Sequence, residues 1–280
     1  MTNKELQEKA RQVRVLIIQA LHAAGSGHPG GSLSAADIVT ELYFEEMNID
    51  PADPKKKGRD KFILSKGHAG PAQYAALAVR GNYPAEDMMS LRKLGSAFQG
   101  HPNMHYVPGI EMSTGSLGQG FSAAGGMALA NKLDGDPGRI YTLLGDGEIQ
   151  EGLVWEAAMS ASHYKLDNLV AVMDHDGLQI DGKNDDVMTV MPIAEKFAAF
   201  GWHVVTINGH DFDEIRAAFA EARACKGRPT AVIAETVKGK GVSFMENQAG
   251  WHGKAPNDEQ TAQALEDLRQ PADEEKGGQA

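Results

Sequence analysis

The sequence predicts a three-layer α/β domain, a mostly parallel sheet with helices on both faces. Three observations predict it. Short, continuous apolar runs recur along the 280 residues, as expected for strands buried on both sides. Stretches with helical periodicity alternate with them, which indicates parallel pairing. The 42% hydrophobic content can fill one large core, and no repeat or internal linker divides the chain.

From Lys4 to Ala24 the apolar residues Leu6, Ala10, Val13, Ile17, Leu21 and Ala24 recur at three- and four-residue steps, so this is an amphipathic helix. A second helix is predicted from Ser34 to Glu46, with Ser34 as N-cap and Asp37 at the third helical position. Between them Gly25-Ser-Gly-His-Pro-Gly-Gly31 reads as loop. Phe62-Ile63-Leu64 reads as a buried strand. Ile140–Leu144 follows a Gly-rich helix, and Leu169–Met173 follows the helix around Trp155 to His163. His203–Ile207 and Thr230–Ala234 complete the strands, with a helix from Phe212 to Ala224 between them. The expected domain is 1–256. Residues 257–280 read as a polar C-terminal helix with a disordered tail from Ala272, and Gly277-Gly-Gln-Ala280 reads as a natural terminus.

Composition excludes several functions. Asp plus Glu number 38 against 27 Lys plus Arg, and a net charge of −11 opposes non-specific nucleic-acid binding. Cys225 is the one cysteine, which excludes an internal disulfide and a zinc knuckle; it reads as a partly buried thiol near a helix end. No apolar run reaches the roughly 20 residues of a membrane span. The charged N-terminus lacks the apolar core of a signal peptide, so the expected compartment is the cytoplasm.

In an open parallel sheet, ligands bind beyond the carboxyl ends of the strands. Two acidic turns stand there, Leu144-Gly-Asp-Gly-Glu148 and Met173-Asp-His-Asp-Gly-Leu178. Asp146 and Asp176 are 30 positions apart, room for one helix, so a βαβ unit would set the turns side by side. Their oxygens suit Mg²⁺ carrying a diphosphate, with Ca²⁺ or Mn²⁺ as substitutes. Read alone, two ordinary loops remain the alternative. Four histidines, His28, His68, His101 and His252, lie in Gly- or Pro-rich loops and suggest one cleft where imidazoles bind phosphate or move protons. Zinc ligation is the other reading, but the close ligand spacing of His-Glu-x-x-His is missing. His22, His105, His163, His175, His203 and His210 are read as structural.

These motifs resemble, in order from about Lys4 to Pro256, the N-terminal, diphosphate-binding part of transketolase in its split, two-subunit form. Ser26-Gly-His-Pro-Gly30, Leu64-Ser-Lys-Gly-His68 and Gly100-His-Pro102 are similar to the family's three histidine loops. Thr114-Gly-Ser-Leu-Gly-Gln-Gly120 resembles the loop against the aminopyrimidine of thiamine diphosphate. Gly145-Asp-Gly147 opens the cofactor motif, Gly177-Leu-Gln-Ile-Asp-Gly182 follows its second half, and His252-Gly-Lys-Ala-Pro256 resembles the last histidine segment.

The resemblance implies the thiamine-diphosphate-binding fold and a ketol transferase. It assigns Mg²⁺ to Asp146, Asp176 and the Leu178 carbonyl. It puts His68, His252 and the Gly147 backbone on the diphosphate, within a cofactor set that also includes Gly145 and Glu148. Gly115, Ser116 and Leu117 would border the pyrimidine. His28 and His101 would line the substrate channel, and with His252 form the catalytic set. Glu151 and Glu156 would lie at a subunit interface, where a solvated helix face is the plainer reading.

Two departures stand out. The family usually has Asn where this chain has Asp176. The pyrimidine-binding domain, with its essential Glu and phosphate-binding arginines, is not in this sequence. The implied partner is therefore a C-terminal subunit carrying that domain, in an α₂β₂ heterotetramer acting on sugar phosphates. Related alternatives are a 1-deoxyxylulose-5-phosphate-synthase-like enzyme and a 2-oxo acid decarboxylating subunit. The Gly27-His-Pro and Gly100-His-Pro loops favour transketolase over both. A non-catalytic module that holds thiamine diphosphate is the alternative of another class.

Overall fold

The computed structural model describes residues 1–269. Ten α-helices are found among them, besides short 3-10 and π turns such as Ala249–Trp251: α1 Asn3–Ala24, α2 Pro29–Ser34, α3 Ala36–Glu41, α4 Gly70–Arg80, α5 Gln119–Asp134, α6 Gly152–His163, α7 Asn184–Val187, α8 Ile193–Ala199, α9 Phe212–Ala224 and α10 Asp258–Asp267. The strands are β1 Lys61–Leu64, β2 Ile140–Gly145, β3 Leu169–His175, β4 Leu178–Gln179, β5 Gly182–Lys183, β6 His203–Asn208 and β7 Thr230–Glu235. Five of them form one parallel sheet in the order β1-β2-β3-β7-β6, and β4 and β5 form a small antiparallel hairpin.

Strand alternation divides the core into two layers. Phe62, Leu64, Tyr141, Leu143, Val170, Val172 and Val232 pack toward α1, α3, α4 and α9. Ile63, Ile140, Ala171, Met173, Ala231 and Ile233 pack toward Phe121 of α5, Val154 of α6 and Phe197 of α8. Both faces of the sheet are therefore dry, which is why its strands read as unbroken apolar runs. Gly145 stands opposite Asp174, and His175 opposite Glu235, so β2, β3 and β7 finish level and present their following loops together.

The five long strands and the helices α1 and α9 lie where the sequence predicts them. A capping box between Thr2 and Glu5 starts α1, and Gly25 ends it at φ +65°. The start of the second helix differs from expectation. Helix α2 already begins at Pro29, inside the predicted loop, with Pro at the first helical position and His28 before it. Glycine is needed here for contact rather than for a turn: a Cβ on Gly30 would stand 2.9 Å from Lys238 Cγ and 3.0 Å from the Trp251 carbonyl. Ser34 does not cap a helix; its hydroxyl donates to buried Asp174 at 2.6 Å. Asp37 does stand in the first turn of α3, where its carboxylate pairs with Arg14.

Helix α10 packs on α1 through Ala264, with Leu268 beside it. The expected tail, 272–280, lies outside the described residues. Cys225 follows α9 at half-burial, as expected. No helix among the described residues is long and apolar enough to cross a membrane.

Candidate functional site

A cavity of about 370 Å³ opens beyond the carboxyl ends of β1, β2, β3 and β7. Each strand delivers one polar turn to it. After β1 come Lys66 and His68, after β2 Asp146, after β3 Asp176, and after β7 Lys238. Gly67 lets the first turn press against the loop carrying Gly115: a Cβ there would come within 2.7 Å of the Gly115 nitrogen.

The four loop histidines converge, as the sequence suggests. Ring centroids lie 5.3 Å apart for His28 and His68, 5.5 Å for His28 and His252, and 5.1 Å for His68 and His252. His101 stands at one side, 6.2 Å from His28 and against Gly115. Burial, reinforced by neighbouring cations, lowers His28 and His252 to about 4, and it holds His68 well below the usual imidazole range. All three are neutral near pH 7. A neutral ring carries one donor and one acceptor nitrogen, and the Nδ1 atoms of His28 and His252 are buried without a partner.

The acidic turns meet as the spacing predicts. Asp146 accepts from its own neighbour Gly147 N at 2.7 Å and from Gly177 N at 2.6 Å. Burial and the nearby Asp176 push its carboxyl up to about 6. Asp176 accepts from Leu178 N at 2.9 Å and from Lys238 Nζ at 2.8 Å. Lys238 Nζ also donates to the Leu178 carbonyl at 3.2 Å. A buried cation thus already bridges two of the three oxygens expected to hold a metal, so the donor set fits a hard divalent ion. Among the described residues, no group of three or more His, Cys, Asp or Glu side chains is placed to hold a metal ion, so the two carboxylates here would need the Leu178 carbonyl as their third donor.

The remaining predicted residues divide. Gly115, Leu117, Gly145, Gly147 and Leu178 line the cavity, and Glu151 stands on its lining while remaining exposed as a residue. Glu148 also lines it, but its carboxylate braces three segments by accepting from Ser65 Oγ, Gly118 N and Gly145 N. The Gly147 N–H that the resemblance assigns to the diphosphate is taken by Asp146. Ser116 is exposed and outside the cavity lining, and Glu156 is exposed on α6.

Sequence reasoning missed Lys66, Lys238 and Asp174. Lys66 Nζ donates to the Gly31 carbonyl at 2.8 Å and pairs with Asp174, whose carboxylate also accepts from Ser34 and Thr236. The signal was available, since Lys66 comes two residues after β1, nearly as close to its strand end as Asp146 is to that of β2. Of the histidines read as structural, His22, His175, His203 and His210 hold hydrogen bonds to partners far along the chain, and His105 and His163 are exposed.

The family described as "Transketolase, thiamine diphosphate binding domain" matches residues 6–273. The 6-deoxy-6-sulfo-D-fructose transketolase subunit SqwG of Clostridium sp. (strain MSTE9) is 45% identical over 94% of this chain and 96% of its own length. An apulose-4-phosphate transketolase subunit of Phocaeicola vulgatus is 41% identical over 94% of this chain and 93% of its own length. A solved transketolase from Leishmania mexicana superposes with a TM-score of 0.90 at 31% identity, covering 96% of this chain and 42% of that one. Motif order, sheet topology and these likenesses agree: the chain belongs to the transketolase family, within its thiamine diphosphate binding domain.

Proposed function

We propose that this chain is the diphosphate-binding subunit of a two-subunit transketolase that moves a two-carbon ketol unit between sugars with thiamine diphosphate and Mg²⁺. The observation that carries the proposal is the convergence of three neutral imidazoles, two buried ammonium groups and two acidic turns on one cavity. Such a set suits a polyanion bound through a metal, and the cavity volume falls within the ordinary range for small-molecule and cofactor sites. The near-complete two-way coverage of two split-transketolase subunits supports the two-chain arrangement.

The cofactor, when bound, supplies the carbon–carbon bond chemistry. The chain's own residues bind and orient it. Asp146, Asp176 and the Leu178 carbonyl would hold Mg²⁺; Lys238, His68 and His252 would face the diphosphate. His28 and His101, at the other side of the arc, would hold or move protons at the sugar hydroxyls. Residues 1–256 form the binding unit in this reading. Exposed Ile180, Val187, Met188 and Met191 cluster in sequence beside the cavity-lining Leu178 and Gln179, an apolar rim suited to a companion chain closing over the site. Glu151 and Glu156 would join the interface of an α₂β₂ assembly in the cytoplasm. The relatives' names point to ketoses with an anionic end, sulfonated or phosphorylated, as the donor class.

The test is ketol transfer from a panel of such ketoses, assayed with the purified chain and with the chain co-expressed with its companion subunit. Activity is expected only for the pair. Robust transfer by the single chain overturns the split reading, and cofactor binding by the pair without transfer favours a non-catalytic module.

A further inference from the structure

Lys238 belongs to a stretch that leaves β7 after Glu235 and has no helix or strand until Ala249. Its place in the cavity depends on a few backbone tethers. Asn247 N donates to the Lys238 carbonyl at 2.9 Å, and Gly239 N donates to the Gly30 carbonyl at 3.0 Å. The Val237 N–H, immediately before the lysine, donates instead to a side chain, His210 Nε2, at 2.9 Å.

His210 is itself held on every side. It lies in the turn between β6 and α9, where Gly209 N donates to the Glu235 carbonyl at 2.8 Å and His210 N to Asn208 Oδ1 at 3.0 Å. A Cβ on Gly209 would stand 2.5 Å from Thr236 Cγ2, so the turn and the lysine segment touch. His210 Nδ1 lies 2.7 Å from Asp37 Oδ2, and Arg14 grips the same carboxylate with both Nη atoms, at 2.9 and 2.5 Å. Burial would raise the Asp37 carboxyl, but Arg14 and His210 hold it well below the usual carboxylate range. An ionised carboxylate can only accept, so Nδ1 carries the proton. Nε2 is left with a lone pair, and the Val237 N–H meets it.

We propose that His210 is a positioning residue for the cofactor site: Nε2 anchors the Val237 amide and thereby fixes Lys238 over the Asp176 and Leu178 oxygens. The chain of contacts runs from Arg14 on α1 through Asp37 on α3 and His210 to the lysine segment, joining the outer helix layer to the cavity. This inference rests on the cofactor reading above.

Two isosteres separate the ring nitrogens. His210→Gln can return an acceptor oxygen to the Nε2 position, whereas His210→Asn offers an N–H near Nδ1 and leaves Val237 unpaired. The probe is thiamine diphosphate with Mg²⁺, titrated into the full chain co-expressed with its companion subunit. His210→Gln is expected within about twofold of wild-type Kd, and His210→Asn about tenfold weaker, the size of one net hydrogen bond. The Val237 amide should exchange with solvent faster in the Asn variant than in the Gln variant or wild type. In a Lys238→Met background the Asn substitution should change Kd less than about twofold, because its effect passes through the lysine.

Equal weakening by Asn and Gln, or an Asn effect undiminished by Lys238→Met, overturns the proposal as generic packing. If the Asn variant does not fold, exchange decides between wild type and Gln: a protected Val237 amide in both supports the anchor, and an unprotected one in wild type overturns it. Failure of wild type to bind the probe overturns the cofactor reading and this proposal together. Equal binding by wild type and Asn variant overturns the role of His210 alone.

Discussion

Asp174 and Asp176 sit two residues apart at the end of β3, each paired with a buried lysine, yet they have opposite character. Asp174 accepts from Lys66, Ser34 and Thr236 and is 1% exposed. Burial alone would raise its carboxyl, but Lys66 and the two hydroxyls hold it below the usual range. Asp176 accepts from one backbone N–H and from Lys238, and burial raises its carboxyl. A carboxylate whose lone pairs are filled by fixed protein donors belongs to the scaffold. One that is under-filled, raised and facing a cavity has capacity left for a cation. The difference separates two acids that the sequence presents as one cluster.

The comparison breaks if the two acids respond alike to loss of charge. Asp174→Asn is expected to produce the largest effect, a destabilisation of about 3–5 kcal/mol, because it strands Lys66 in the protein interior without its counter-ion. Urea denaturation of the chain without metal or cofactor measures it. A loss under about 1 kcal/mol would mean that the Gly31 carbonyl alone satisfies Lys66, and that Asp174 is no scaffold.

The same contrast accounts for what the sequence could and could not disclose. Strands buried on both faces leave continuous apolar runs, so the sheet was legible. Acids placed directly after such runs were legible too, because the end of a strand fixes where the next residues stand. Lys66 and Lys238 follow β1 and β7 by two and three residues, but lysine in a Gly-rich loop ordinarily reads as solvated. Only the three-dimensional meeting with Asp174 and Asp176 shows both ammonium groups buried. Helix α2 was hidden for a related reason. Gly30 and Gly31 carry poor helix propensity, and close packing against the Lys238 stem and the Trp251 carbonyl overrides it. His210 gave no local signal, since its partners come from residues 37 and 237.

Titration sharpens the comparison next. The Asp146 carboxyl, raised to about 6, favours the protonated form in the folded chain. Its contribution to stability is therefore present below the ordinary value of 3.8 and lost as pH rises through about 6. Asp174, lowered, contributes in the opposite sense, with stability present above its ordinary value and lost as pH falls through its depressed one. In the proposed site Mg²⁺ would need Asp146 ionised, so the rise in melting temperature caused by added Mg²⁺ should be clear at pH 7.5 and fade as pH falls through about 6. His28 and His252, both near 4, stay neutral over that window and do not contribute to the change. A Mg²⁺-induced shift as large at pH 5 as at pH 7.5 would exclude Asp146 as a ligand. Scanning calorimetry at fixed Mg²⁺ reads the result directly.

The smallest expected effect belongs to Asp176→Asn, and its sign is the informative part. A lone carboxylate about 4 Å from a phosphate charge, at an effective dielectric near 20, would repel it by roughly 4 kcal/mol. Lys238, 2.8 Å from Asp176, offsets most of that repulsion, so removing the carboxylate charge cannot recover the full amount. What the substitution does release is the ammonium, which loses its anionic partner and keeps the Leu178 carbonyl. A freed cation beside the cavity favours an incoming diphosphate, while the loss of one carboxylate from the proposed metal site weakens Mg²⁺ binding. At limiting Mg²⁺ the first effect should dominate, tightening thiamine diphosphate binding by about two- to fivefold, or about 0.4–1 kcal/mol. At saturating Mg²⁺ the two forms should converge. Cofactor titrations of the wild-type and Asn assemblies at several fixed Mg²⁺ concentrations test this. If the Asn form binds more weakly at every concentration, the carboxylate's work as a metal ligand outweighs its repulsion of the diphosphate. The under-filled acid would then be as indispensable to binding as its saturated neighbour is to folding.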